Sequence, residues 1–159
     1  MIKVSLTVNG KKHEKETAPD TSLLDFLRSI GVKSVKKGCG KGECGACGVI
    51  MDGVYCKSCI VLAIQANGTE IKTVESLGNA QNPHPLQTSF VDEGAVQCGY
   101  CIPSMLLAAK NMLDKNPEPD EKEIRKSLDG NLCRCTGYVK QIAAVKKAAK
   151  IMRENKNDQ

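Results

Sequence analysis

From Ile2 to Val8 apolar and polar residues alternate (IKVSLTV), the period of a strand with one buried face. Asn9-Gly10 follows as a two-residue hairpin turn, and residues 11–17 can return antiparallel. The period then changes. Leu23, Leu24, Leu27 and Ile30 share one face of a helix, Ser22 with Asp25 marks its N-terminus, and Gly31 can end it. After a glycine-rich stretch, Asp52-Gly53 predicts a second hairpin, with 49–51 running out and 54–63 running back. Asn67-Gly68 turns into a last strand over 70–74. Hairpin, helix, loop and further strands in this order predict a β-grasp roll.

Beyond Leu77 the pattern becomes helical. A polar connector at 78–83 leads into candidate helices at about 85–93, 103–115, 120–128 and 138–153. Asp120 with Glu123 reads as a cap, and Asn116-Pro117-Glu118-Pro119 breaks the preceding helix. Two helical hairpins packed antiparallel form a four-helix bundle. The expected fold is therefore α+β, with a β-grasp domain over 1–77, a linker over 78–83 and a helical domain over 84–159.

Composition narrows the chemistry. The 159 residues include no tryptophan, two phenylalanines and three tyrosines, so two half-size cores would be marginal without internal staples. The net charge of +5 comes with lysines concentrated between Lys140 and Lys156. No aromatic stacking platform accompanies them, so they read as a solvated helix face and no nucleic-acid partner is expected. There is no charged-then-apolar leader and no run of 18 apolar residues. The expectation is a cytoplasmic protein without membrane insertion, a setting in which clustered cysteines more often bind metal than form disulfides.

Those cysteines number nine and fall into two groups. The first is Cys39-x4-Cys44-x2-Cys47, followed by Cys56 and Cys59; the second is Cys98-x2-Cys101 with Cys133-x-Cys135. The first spacing is the ligand pattern of plant-type 2Fe–2S ferredoxins. Gly38 to Gly48 (GCGKGECGACG) holds five glycines, which let a loop curl closely round an inorganic unit with its amides turned inward. In the hairpin register Met51 faces Val54, Val49 faces Cys56 and Cys47 faces Ser58. Cys59 then lies beside Cys47, whereas Cys56 points to the opposite face as a small apolar side chain. In the bundle, both pairs of the second group come to one end, where helix N-termini favour an anion. Two four-thiolate sites suggest an electron relay. A free-standing ferredoxin-like carrier and a zinc-bound scaffold remain as alternatives, although zinc suits the Cys39–Cys44 step poorly.

Four stretches carry a family resemblance: SVKKGCGKGECGACGVIMDG, KSC at 57–59, GAVQCGYCIPSM and GNLCRCTGY. In this order they resemble the small iron–sulfur subunits of the molybdenum hydroxylases, the xanthine dehydrogenase and aldehyde oxidase family, over nearly the whole chain. The resemblance implies two 2Fe–2S clusters. Cys39, Cys44, Cys47 and Cys59 match the ligands of the one nearer flavin; Cys98, Cys101, Cys133 and Cys135 match those of the one nearer molybdenum. It further implies that Gln97 hydrogen-bonds the pterin cofactor and that Cys135 touches it. Arg134 could balance cluster charge or face solvent. The implied partners are a large subunit with the molybdenum–pterin cofactor and a medium subunit with FAD, in a hetero-oligomer patterned as a dimer of heterotrimers. Two departures concern packing: Ser104 stands where the family usually has glycine, and Gly48 where threonine is common. No substrate pocket, dinucleotide fingerprint or general base is evident.

Overall fold

The computed structural model describes residues 1–157. Five strands form one mixed sheet: β1 (Ile2–Val8), β2 (Lys11–Thr17), β3 (Gly48–Met51), β4 (Val54–Lys57) and β5 (Glu70–Lys72), in the order β2-β1-β5-β3-β4. β1 pairs antiparallel with β2 and parallel with β5, while β3 pairs antiparallel with both β4 and β5. The alternation in β1 does what its period requires: Val4, Leu6 and Val8 are buried beneath helix α1 (Leu23–Ser29). Ser22 caps α1 by accepting from the Asp25 amide at 3.0 Å. At its other end Gly31 takes φ +97°, and the amides of Gly31 and Val32 bond back to Arg28 and Leu27, which is a Schellman closure.

Four further helices follow: α2 (Pro85–Asp92), α3 (Ile102–Lys115), α4 (Glu121–Leu128) and α5 (Val139–Asn157). Their inward faces share a core built from Leu86, Phe90, Met105, Ile124, Val145 and neighbours. The sheet and α1 enclose a separate core. Val74 and Leu77, which precede the polar connector, pack on the helical core. Among the described residues, no helix is long and apolar enough to cross a membrane.

The return strand is shorter than its predicted span of 54–63. Ser58 still donates its amide to the Cys47 carbonyl at 3.2 Å, as the register requires, but its hydroxyl takes the same carbonyl at 2.7 Å and the chain turns there into a 3₁₀ turn over Ser58–Ile60. A second 3₁₀ turn occupies Ala63–Ala66. The last strand likewise stops at Lys72 instead of 74, and Val74–Ser76 forms another such turn.

Candidate metal centres

The loop between α1 and β3 bends through positive φ at Gly40, Gly42 and Gly45, and its amides converge on sulfur. The Cys44 and Glu43 amides lie 3.4 and 3.3 Å from Cys39 Sγ, the Lys41 amide 3.5 Å from it, and the Cys39 amide 3.3 Å from Cys44 Sγ. The Gly42 amide reaches Cys59 Sγ at 3.2 Å, and Lys57 Nζ holds the Gly42 carbonyl at 2.8 Å. The amide of Cys44, followed by that of Lys41 and with Glu43 adding, draws the Cys39 thiol down to about 6 despite partial burial. Cys47 faces Cys59, and burial pushes its thiol up to about 11. The 3₁₀ turn, not strand alternation, brings Cys59 to this position. Cys56 is half-buried against the sheet core, and burial raises its pKa.

The second group gathers at the loops that open α3 and α5. Cys101 is the N-cap residue of α3. The Tyr138 hydroxyl accepts from the Cys133 amide at 2.7 Å and donates to the Asn131 carbonyl at 3.0 Å, closing the 131–138 loop on itself. Cys98 and Cys135 face each other with Sγ–Sγ 3.7 Å, and Cys101 interacts with Cys133. Burial, reinforced by the Cys133 contact, pushes the Cys101 thiol up to about 12. Cys133 moves the other way: burial opposes ionisation, but the Thr136 hydroxyl 3.0 Å from its sulfur and nearby amides outweigh it. Cys98 and Cys135 are exposed, as are Gln97 and Arg134.

The thiols thus meet as pairs. Among the described residues no three His, Cys, Asp or Glu side chains converge on a point suited to a single metal ion. A two-iron, two-sulfide unit held by four thiolates takes two for each iron, so facing pairs suit it better than a tetrahedral zinc site does. A bound cation would also hold the high-pKa Cys47 and Cys101 thiols in their ionised form. Proximal glycines leave room: a Cβ on Gly38 would stand 2.7 Å from Cys44 Sγ.

Main-chain and side-chain bonds join the two cysteine groups. The Leu132 amide donates to the Cys44 carbonyl at 2.9 Å, one residue from Cys133. A cavity of about 200 Å³ is lined by Cys44 from the first group and by Cys98, Cys101, Cys133 and Cys135 from the second. Tyr100 Oη donates to the Lys37 carbonyl at 2.8 Å. Deeper in the same interface, Ser104 bonds the Gly45 carbonyl, and its hydroxyl lies 2.7 Å from Tyr55 Oη. Tyr55 donates to Asn131 Oδ1 at 2.6 Å. The two family departures meet at this point, since a Cβ on Gly48 would fall 2.2 Å from Ser104 Oγ and 2.3 Å from Tyr55 Oη.

Two polar residues of this region, Tyr55 and Gln141, lie outside the sequence motifs, and a third, Asn131, lies within GNLCRCTGY with no role expected of it. Gln141 had a signal available. It lies on the apolar stripe of α5 with Val145 and Ala148, where the spacing calls for another apolar side chain.

Similarity to known proteins follows the same division. A model described as "2Fe-2S iron-sulfur cluster binding domain" matches residues 6–80, and one described as "[2Fe-2S] binding domain" matches residues 73–146. The nicotinate dehydrogenase small FeS subunit of Eubacterium barkeri is 49% identical over 148 residues, covering 92% of this chain and 94% of that protein. Quinoline 2-oxidoreductase from Pseudomonas putida 86 contains a chain of the same fold, with TM-score 0.90, 40% identity and 96% of both chains covered. In the aldehyde oxidoreductase from Desulfovibrio desulfuricans the fold recurs at TM-score 0.93 and 40% identity. It covers 97% of this chain but only 17% of that longer one.

Proposed function

This chain belongs to the small 2Fe–2S iron–sulfur subunits of the molybdenum hydroxylase (xanthine dehydrogenase and aldehyde oxidase) family, and we propose that it carries electrons singly between a molybdenum–pterin centre and FAD held by partner subunits. Cys39, Cys44, Cys47 and Cys59 hold one 2Fe–2S cluster in a β-grasp domain over 1–77. Cys98, Cys101, Cys133 and Cys135 hold the other in a four-helix bundle over 84–159, with 78–83 as linker. Each cluster supplies a one-electron couple. The chain's own residues bind, space and tune those couples, and leave the substrate chemistry to a large molybdopterin-binding subunit.

The observation that carries this reading is the 2.9 Å bond from the Leu132 amide to the Cys44 carbonyl. It leaves one hydrogen bond and a short length of main chain between a ligand of one quartet and a ligand of the other. Exposure supports a direction for the relay. The second quartet opens to the surface at Cys98 and Cys135, beside exposed Gln97. A glutamine amide offers both a donor and an acceptor to a pterin edge. We assign Gln97 and Cys135 to the pterin side and the first quartet to the side of a medium FAD-binding subunit, in a cytoplasmic hetero-oligomer built as a dimer of heterotrimers.

The test is made in the assembled complex. Cys98→Ala is expected to remove one of two electron paramagnetic resonance signals and to halt substrate-driven reduction of FAD. Cys56→Ala should leave both signals in place. FAD reduction at the parental rate in Cys98→Ala would contradict the relay. A monomeric chain that does not associate with co-expressed large and medium subunits would favour the free-standing carrier.

A further inference from the structure

Gln141 is fully buried in the first turn of α5. A buried amide forgoes water at both ends, and here one end remains unpaired: Oε1 has no hydrogen-bond partner. An unsatisfied buried acceptor of this kind is destabilising, because it has given up its water and gained no partner. An apolar side chain of the same size would avoid that cost and continue the stripe formed with Val145 and Ala148. What the amide gains lies at its nitrogen. Nε2 donates to the Ala95 carbonyl at 3.2 Å and to Thr136 Oγ1 at 2.5 Å, and it stands 3.9 Å from Cys133 Sγ. The Ala95 carbonyl can only accept, so it fixes the amide with nitrogen toward the cysteine loops.

This arrangement determines the hydroxyl of Thr136. Thr136 Oγ1 accepts from Gln141 and lies 3.0 Å from Cys133 Sγ, and a threonine has a single hydroxyl proton. The amide takes one of its two lone pairs, and a thiolate ligand carries no proton of its own, so the hydroxyl is the donor in the contact with the sulfur. Ala95 lies three residues before Cys98, and Thr136 follows Cys135 directly. One side chain therefore ties both ligand loops of the second quartet together and aims a donor at one of its thiolates.

We infer that Gln141 is the positioning residue of the second cluster, orienting the Thr136 hydroxyl onto Cys133 Sγ and thereby raising that cluster's reduction potential. The inference rests on the reading that Cys133 is a cluster ligand. Donors to cluster sulfur favour the more negative, reduced form, so removing them lowers the potential.

The test is a redox titration of the cluster-loaded complex, with the two resonance signals followed separately. Gln141→Met keeps the bulk and removes the donor. It is expected to lower the midpoint of one signal and leave the other unmoved, changing the reduced-to-oxidised ratio at fixed potential about threefold to tenfold; tenfold corresponds to 59 mV for one electron. Thr136→Val should lower the same midpoint, Thr136→Ser should retain it, and the Gln141→Met/Thr136→Val pair should be clearly non-additive because one acts through the other. Unchanged midpoints in Gln141→Met, with both signals present, would overturn the role. If that variant does not assemble its second cluster, the threonine variants decide: Thr136→Val at the parental midpoint overturns the proposal. A parental chain with one signal would instead overturn the two-cluster reading beneath it.

Discussion

Gly45 is where the two cysteine groups are pressed together, and replacing it with alanine should separate them. Its φ is +72°, and a Cβ there would stand 2.1 Å from the Gly130 carbonyl oxygen and 2.9 Å from both Asn131 Cα and Asn131 Oδ1. Two of those neighbours are backbone and cannot rotate away. Ordinary contact begins near 3.4 Å, so the loops must part by roughly 1 Å. The 2.9 Å bond from the Leu132 amide to the Cys44 carbonyl would then exceed hydrogen-bonding range, and the Ser104 bond to the Gly45 carbonyl would open with it. Two such bonds contribute about 1 kcal/mol each. Overpacking a tight contact adds about 1–3 kcal/mol. The backbone strain of alanine at positive φ is separate, about 1–2 kcal/mol, and a control isolates it. Gly10 has φ +79° with nothing within 4 Å of its would-be Cβ, so Gly10→Ala carries the strain without the clash. Gly45→Ala should therefore be about 3–5 kcal/mol less stable than Gly10→Ala, as read from anaerobic denaturation midpoints of the cluster-loaded chain. Electron exchange between the clusters, followed by stopped-flow absorbance, should also slow in Gly45→Ala alone. Equal stability and equal exchange in the two variants would refute the role assigned to this interface.

Other outcomes follow from the same contacts. Gly48→Thr is expected to destabilise the chain by about 1–3 kcal/mol through its overlap with Ser104 and Tyr55. Adding Ser104→Gly should return part of that loss, a non-additivity that a double-mutant cycle measures. Cluster assembly should be pH-dependent. Cys47 at about 11 and Cys101 at about 12 are protonated at neutral pH and must lose those protons on binding iron, so apparent affinity should rise with pH. Each of these thiols contributes a factor of ten per pH unit below its pKa, about 1.4 kcal/mol, and iron titrations of the apo-chain at roughly one-unit steps between about pH 6 and pH 9 would measure the slope. Cys39, at about 6, is largely ionised at neutral pH and should add little to that slope.

Much of the fold was legible because its punctuation is local. Asn9-Gly10 and Asp52-Gly53 set two hairpins in the register their turns dictate, and the Asp120–Glu123 capping box opens α4. The limits of β4 were not legible. Ser58 keeps its expected pairing with Cys47, but its hydroxyl takes the same carbonyl where the chain turns into a 3₁₀ helix, and that side-chain bond is invisible to alternation. The thiols themselves stood out by spacing, but their division into facing pairs depends on loop closure by Lys57 and Tyr138. The interface was hidden for a similar reason. Tyr55, Ser104 and Asn131 lie far apart in the chain, and only tertiary packing brings their side chains together. Gln141 is visible in the sequence as a polar break in an apolar stripe, and such a break in local consistency marks a residue retained for its chemistry.

We propose that eight of the nine cysteines hold two 2Fe–2S clusters in electronic contact. Iron, zinc and acid-labile sulfide analysis of the anaerobically purified chain, paired with resonance spectra after stepwise reduction, tests it most directly. About four irons and four sulfides per chain, no zinc, and two distinguishable signals are expected. Cys39→Ala should remove one signal and Cys98→Ala the other. Zinc in place of iron, or a single signal accounting for all the iron, would contradict it.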